Sequence, residues 1–549
     1  LTALATAAAP VLAQQPNHQH YEKPSGPDKP APTGELAPRL QNLGKHVFRV
    51  STKSKQAQLY VNQGVNLAYG FNHAEAGRSF REAARLDPKL AMAYWGQALV
   101  LGPNINAAMA AEEEPKAYAL AQKAMSLRAG ASPRERAYIE ALEKRYSGKA
   151  EDRAARDQAY ADAMRDLVRR FPNDLDAASL YAESLMDLRP WAYWAPDGTP
   201  RPGTPEVVAT LERVLARQAD HPLAVHLYIH AMEARRPEKA EAAADRLLKL
   251  MPGAGHMVHM PSHIYMRVGR YADASASNEA AALADEDYIA QCRAQGLYPM
   301  GYYPHNIHFL WSSSAMEGRS AKAIESARKL ASKVEDSAMK ETPLLAGFRV
   351  VPYYALTRFG KWDEMLAEPA PPDNLYLKGT WHYARGLAHA AKGELYDADR
   401  ELAELRKIAA DPGLKFNLFS PNTADNILAI GPEVLAGDLA ARRKDYDAAV
   451  AHLERAVRLE DSLVYTEPAE WHYPPRQILA DVLLQAGRAR EAETVYWADL
   501  ARNPENGWSL KGLAAALRAQ KRDDEAAVVE KRFDKAWANA DVKISNSRF

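Results

Sequence analysis

Eight histidines, His221, His226, His230, His256, His259, His263, His305 and His308, fall within residues 221–308, half of the sixteen in a chain of 549 residues. Neutral imidazole is the commonest protein ligand for zinc, copper and non-haem iron, so this concentration points first to a metal site. Residues three or four apart share a face of a helix. His226 with His230, His256 with His259, His259 with His263, and His305 with His308 all meet that spacing. His256 and His259 lie thirteen and ten residues before Gly269, and His305 and His308 stand at the same distances before Gly318. One histidine on a helix is more often a hydrogen-bonded polar residue than a ligand, and a groove of histidines and tyrosines also suits peptide recognition. The repeated register is what favours a metal. Expected ligands are His256, His259, His263, His305 and His308, with His226, His230, Met260, Met266 and Tyr303 as possible additions. The thioethers of Met257, Met260 and Met266 are soft ligands that favour copper, with zinc or iron next.

Pro261 bears on this arrangement, because proline suits the first turn of a helix and kinks an interior. A helix beginning near Met260 would leave His256 and His259 on the preceding loop and keep the shared-face expectation only for His263, His305 and His308.

The elements that must hold these residues are helical. Asn62–Pro88 carries two apolar-periodic segments joined by a short turn, with Ala76, Phe80 and Pro88 in an A-x3-F…P frame. The frame recurs at 391–412, 442–461 and 485–506, with a final copy from Gly507, and about twelve helix pairs are expected between Gln56 and Trp537. On these residues most of the chain resembles the tetratricopeptide-repeat family. The resemblance implies an all-α, right-handed superhelical solenoid of helix-turn-helix repeats, in which small residues such as Ala274 and Ala398 let pairs stack. It also implies that the first helix of each pair lines a concave groove, facing it thirteen, ten and six residues before the turn glycine. Those positions are His256, His259 and His263 in one repeat and His305, His308 and Ser312 in the next. His226 and His230 fall about one step off this register if Ala240 matches Ala274. Aromatic and proline-rich insertions at Asp187–Pro205, Tyr288–Pro304 and Lys415–Pro432 interrupt the array, and Trp191, Trp194, Tyr298, Tyr302 and Tyr303 could cover a groove.

Composition sets the remaining bounds. Lys+Arg and Asp+Glu are both 70, so no basic field exists to hold a nucleic acid. The single cysteine, Cys292, excludes a disulfide framework and any multi-thiolate metal site. Residues 1–13 are apolar, alanine-rich and end in Val-Leu-Ala, as in the remnant of a signal peptide, which implies a periplasmic or secreted protein. Residues 14–38 are polar and proline-rich and read as a disordered linker, leaving 39–549 for the repeat array. No G-x-x-x-x-G-K-[ST], H-E-x-x-H, G-x-S-x-G or G-x-G-x-x-G pattern occurs, so nucleotide and common hydrolase chemistry lack support. His382, His389 and His472 are expected to pack or to line the groove. The functional expectation is an exported repeat protein whose groove binds a transition metal. The alternatives are a metal-free scaffold for a protein or peptide and a metal-dependent oxidoreductase using the same histidines, with a cell-envelope hydrolase ranked last.

Overall fold

The computed structural model describes residues 35–292, 298–418 and 422–549. The expected signal remnant and most of the expected linker, residues 14–34, lie outside the described residues. Among those described the fold is all-α, with isolated β-bridges only, and no helix is long and apolar enough to cross a membrane.

Helix hairpins build the chain. Lys55–Tyr69 pairs with His73–Leu86, Pro222–Met232 with Pro237–Leu247, Pro261–Val268 with Tyr271–Cys292, and Tyr303–Met316 with Ser320–Ala331. Further on, Leu375–Ala391 pairs with Leu395–Ala409, Ile430–Arg442 with Tyr446–Asp461, Pro475–Gln485 with Ala489–Arg502, and Gly507–Ala519 with Asp523–Ala536. The fourth residue of each of these second helices is alanine: Ala76, Ala240, Ala274, Ala323, Ala398, Ala449, Ala492 and Ala526, all without solvent exposure. A larger side chain there would wedge the two helices apart. One turn later Phe80 drives its ring against Gly64 and Gly96 of the flanking first helices, where a Cβ would stand 2.8 Å and 2.4 Å from the ring. The turn glycines Gly269 and Gly318 have φ of 81° and 74°, left-handed values that cost a side-chain-bearing residue free energy.

The array curls back on itself. One apolar core runs from Ala37 to Tyr302 and a second from Ala282 to Ile544, so the hairpins between 255 and 331 serve both. The C-terminal repeats return to these hairpins. The Trp508 indole donates to Ala315 O at 3.0 Å, the Tyr271 hydroxyl donates to Pro504 O at 2.9 Å, and Asp541 accepts from the backbone of Ser320 at 2.7 Å.

Non-helical segments fill the inner surfaces. Residues 35–54 run beside the first hairpin, with Phe48 stacked on Trp95 and its backbone N–H donating to Asn62. Residues 35–38, assigned to the linker from composition, are packed: Ala37 is buried and its carbonyl accepts from Tyr60 at 3.2 Å. Segment 541–549 threads the C-terminal repeats, where Arg548 pairs with Asp438 and Asp481 and Ser547 donates to Gln477 O at 2.7 Å.

Candidate metal centre

The helix Pro222–Met232 is buried along its whole length, and its i,i+4 pair His226 and His230 bring their Nε2 atoms to 3.2 Å. His256, on the short helix Gly255–His259, places its Nε2 3.2 Å from that of His226. These three imidazoles form one set. Met260 keeps helical dihedrals (φ −50°, ψ −37°) before Pro261 opens the helix Pro261–Val268. The proline therefore marks a first turn without throwing His256 and His259 onto a loop. His259 and His263 form the next i,i+4 pair with Nε2 atoms at 3.0 Å, and His305, from the helix Tyr303–Met316, completes a second set. Within each set the donor nitrogens lie within 4.8 Å of one another.

The two sets are alike and adjacent. Ring centroids are 4.9, 5.0 and 6.3 Å apart in the first set and 4.8, 4.9 and 5.8 Å in the second. Between the sets His230 lies 5.9 Å from His263 and His256 lies 6.0 Å from His259, no farther than the widest separation within the first set. Each set has a phenylalanine wall. Phe71 is 4.4 Å from His226, and Phe309 is 4.7 and 4.5 Å from His259 and His263. Tyr302 covers His256 at 4.7 Å, and Trp191, which is 45% exposed, stands edge-on to His230 at 5.1 Å. Phe71 and Trp191 hold left-handed φ of 56° and 62°, unusual for bulky residues and typical of functional sites.

Hydrogen-bond accounting decides what the inner nitrogens present. His226 Nδ1 lies 2.7 Å from the Tyr69 carbonyl, which only accepts, so Nδ1 carries the proton and Nε2 is a lone pair. Glu233 binds the Nδ1 atoms of both His230 (3.2 Å) and His263 (2.5 Å), and Glu467 stands 3.2 Å from His263 Nδ1. His259 Nδ1 donates to Asn278 Oδ1 at 2.7 Å, an orientation fixed by the Asn278 amide N–H donating to Ala274 O. Three outer nitrogens, on His226, His230 and His259, thus hold protons on acceptors, and His263 Nδ1 stands in ion-pair contact with two carboxylates. In the neutral tautomers the contacts His226–His230 and His259–His263 then set lone pair against lone pair. A cation removes that conflict. Nitrogens bonded to one ion at about 2.0–2.1 Å stand about 3.3–3.6 Å apart in tetrahedral or trigonal geometry, slightly wider than the 3.0–3.2 Å contacts here.

The electrostatics keep most of these rings neutral, the state a metal needs. Burial, reinforced by neighbouring imidazoles, holds His226, His256, His259 and His305 well below the ordinary histidine range, and His230 is lowered by burial as well. His263 differs: burial pulls it down, but Glu233 and Glu467 reverse this and raise it to about 10. Burial pushes Glu233 up, and the neighbouring His263 more than offsets this, bringing it to about 2. Burial leaves Glu467 raised. A proton on His263 relieves the second set when no metal is bound. The His226–His230 contact has no such source.

Of the sequence-expected ligands, His256, His259, His263 and His305 converge, joined by His226 and His230 from the preceding repeat. His308 does not join them. It stacks on Trp311 (5.7 Å, 9°) and meets Phe348 edge-on, because its place on the 303–316 helix turns it away from His305's partners. Met257 and Met260 are fully buried in the apolar core and Met266 packs at its edge. Tyr303 is buried in the second apolar core and donates to Glu286 at 2.7 Å, and its neighbour Tyr302 is the residue at the site. Glu233 and Glu467 were not anticipated. Glu233 follows His230 by three residues, a spacing that carries the signal; Glu467 arrives from a distant repeat and leaves none.

His221 stands apart with His46 and Asp176. Asp176 Oδ1 accepts from His46 at 2.8 Å and from Tyr69 at 2.7 Å, and lies 3.3 Å from His221 Nε2. His221 Nδ1 accepts the Ala224 N–H at 3.3 Å, so its proton is on Nε2, facing the carboxylate. This group borders a cavity of about 720 Å³ and offers a metal no free lone pair from His221.

No protein-family model matches the chain, and no curated protein matches it. Among solved structures it is similar to the human IFIT1 dimer with m7Gppp-AAAA (13% identity, 89% of this chain and 91% of that one, TM-score 0.31). It is also similar to the APC/C hetero-tetramer Cut9–Hcn1 (11%, 89% and 80%, TM-score 0.37) and to the P58(IPK) TPR domain (12%, 87% and 99%, TM-score 0.24). The chain is a tetratricopeptide-like helical-repeat protein. Its own hairpins and the buried alanine at the fourth position of each second helix carry that likeness.

Proposed function

We propose that this protein is a metalloprotein that holds two transition-metal ions, one in each three-histidine set, with copper as the favoured metal. The observation that carries the reading is the meeting of inner Nε2 lone pairs whose outer protons are committed to Tyr69, Glu233 and Asn278. The donor set is all nitrogen, and neutral once an ion displaces the proton of His263, which suits copper, zinc and iron alike. Charge then separates them. Two divalent ions would bring four positive charges into a buried site that has Glu233 as its ionised carboxylate, whereas two Cu(I) ions bring half that burden. Sets of three nitrogens also satisfy Cu(I) without a fourth protein ligand. The acceptors on the outer nitrogens of His226, His230, His259 and His263 fix the tautomer and direction of those four rings, as in established metal–histidine sites.

The test is elemental analysis of protein purified without chelator. Two copper ions per chain are expected, falling in His226→Ala and His259→Ala. Absence of bound metal, together with no rise in melting temperature on adding copper or zinc, overturns the proposal. Export, read from residues 1–13, belongs to the same proposal and is checked by cell fractionation.

A metal-free peptide scaffold has one observation in its favour: segment 541–549 lies among the C-terminal repeats as an extended peptide would. That surface is nonetheless taken by the chain itself, through Asn546, Ser547 and Arg548.

A further inference from the structure

We infer that the two adjacent sets act as one unit, a coupled copper pair that reversibly binds dioxygen. This rests on the metal-centre reading and adds to it an activity. Three points lead to it, beginning with coordination. Each set would give an ion three protein nitrogens, and the carboxylates Glu233 and Glu467 sit on the outer, Nδ1 side of His230 and His263. The open coordination position of each ion is therefore left to an exogenous ligand. The rings of His230 and His263 lie 5.9 Å apart and those of His256 and His259 6.0 Å apart, so ions held by the two sets would be near neighbours. A small bridging ligand would touch both ions, the arrangement by which paired metals act on one substrate.

The second point is the lining. Phe71, Phe309 and Tyr302 pack on the imidazoles, and of the six histidines only His305 is more than marginally exposed. An enclosure of this kind disfavours anions and bulky polar molecules, which lose hydration on entry. A neutral apolar diatomic loses almost none.

The third point is charge balance. Two Cu(I) ions held by the six histidines would give one electron each to dioxygen, which would be reduced to peroxide while both ions became Cu(II). The copper–oxygen unit carries a net charge of plus two before and after, no proton is taken up, and no outside reductant enters. A low-dielectric site strongly opposes any change in its net charge, and this step makes none. Electron return to the ions releases dioxygen and restores the starting state.

The experiment loads the full chain with two equivalents of Cu(I) under argon and then admits air. The expected result is uptake of one dioxygen per two coppers, with a new intense near-ultraviolet absorption that fades under vacuum. The sample should stay silent in electron paramagnetic resonance, because Cu(II) ions sharing a bridge pair their spins. His259→Ala should hold a single copper and take up no dioxygen. Zinc-loaded wild-type protein, also without uptake, serves as the control should that variant fold poorly. If two coppers bind but air produces two magnetically independent Cu(II) ions, or no uptake, the pair proposal is overturned while the metal centre stands. If no copper binds, the metal-centre reading itself has failed.

Discussion

Asp285 offers a sharp test of how the two histidine sets are held in register. It lies without solvent exposure on the 271–292 helix, accepts from the Tyr298 hydroxyl at 2.7 Å and from the Asn306 amide at 2.6 Å. Tyr298 in turn accepts the backbone N–H of His256 at 3.2 Å. One carboxyl thus ties the backbone of the first set to the neighbour of His305 in the second. Gly255 makes room for it, since a Cβ there would come within 1.8 Å of Asp285 Oδ1. Burial pushes the Asp285 carboxyl up to about 7, with the two hydrogen bonds offsetting part of the effect. In the unfolded chain an aspartate ionises near 3.9. Between those values the folded protein keeps a proton that the unfolded chain has lost, so stability falls as pH rises from about 4 to about 7 and is level above. At about 1.4 kcal/mol for each pH unit, the loss is at most about 4 kcal/mol.

Asp285→Asn removes the ionisation. Asn306 Oδ1 has no hydrogen-bond partner, so the Asn306 amide can turn over and accept from the new side-chain N–H, keeping the link. Urea unfolding of the metal-free protein should therefore show the variant more stable than wild type at pH 8 by about 2–4 kcal/mol, with the gap closing near pH 4.5. A difference that is the same at both pH values refutes the reasoning, as does a variant less stable at pH 8.

Two further outcomes separate the structure from plainer readings of the same residues. Glu233→Gln leaves the six rings in place but weakens the acceptor shared by His230 and His263; copper affinity, measured by competition with a chromophoric chelator, should fall about 10- to 100-fold. Unchanged affinity would remove Glu233 from the site. His308→Ala should keep the full copper content and lose only packing against Trp311 and Phe348, whereas His259→Ala should lose metal, so equal losses in the two variants would contradict the partition drawn above.

Local patterns were enough for the repeat, because its constraint is local: a small residue at the fourth position of a second helix and a ring one turn on, as in Ala76 and Phe80, are legible in a few residues. The i,i+4 pairs were legible for the same reason, and both His226 with His230 and His259 with His263 form as spacing requires. What spacing could not supply is which pairs meet. His256 and His259 are three apart on one helical run, yet His256 joins His226 and His230 while His259 joins His263 and His305. A turn of about 60° around the helix axis separates them, and where two sets lie side by side that angle is enough to send neighbours to different ions. The pair His305 and His308 shows the same limit in reverse: an identical register ends with one ring at the metal site and the other stacked on Trp311. Register sets direction only against known neighbours, and here the neighbours are set by curling. The 69–73 turn reaches the 222–232 helix across more than 150 residues to seat Phe71 and the Tyr69 carbonyl on His226, and Glu467 closes on His263 from a repeat some 200 residues later. Nothing near those residues announces the contact. The site is built where two curled halves share their middle hairpins, and the choice of histidine on those hairpins, the feature most visible in the sequence, acquires its meaning from the parts of the chain that return to cover them.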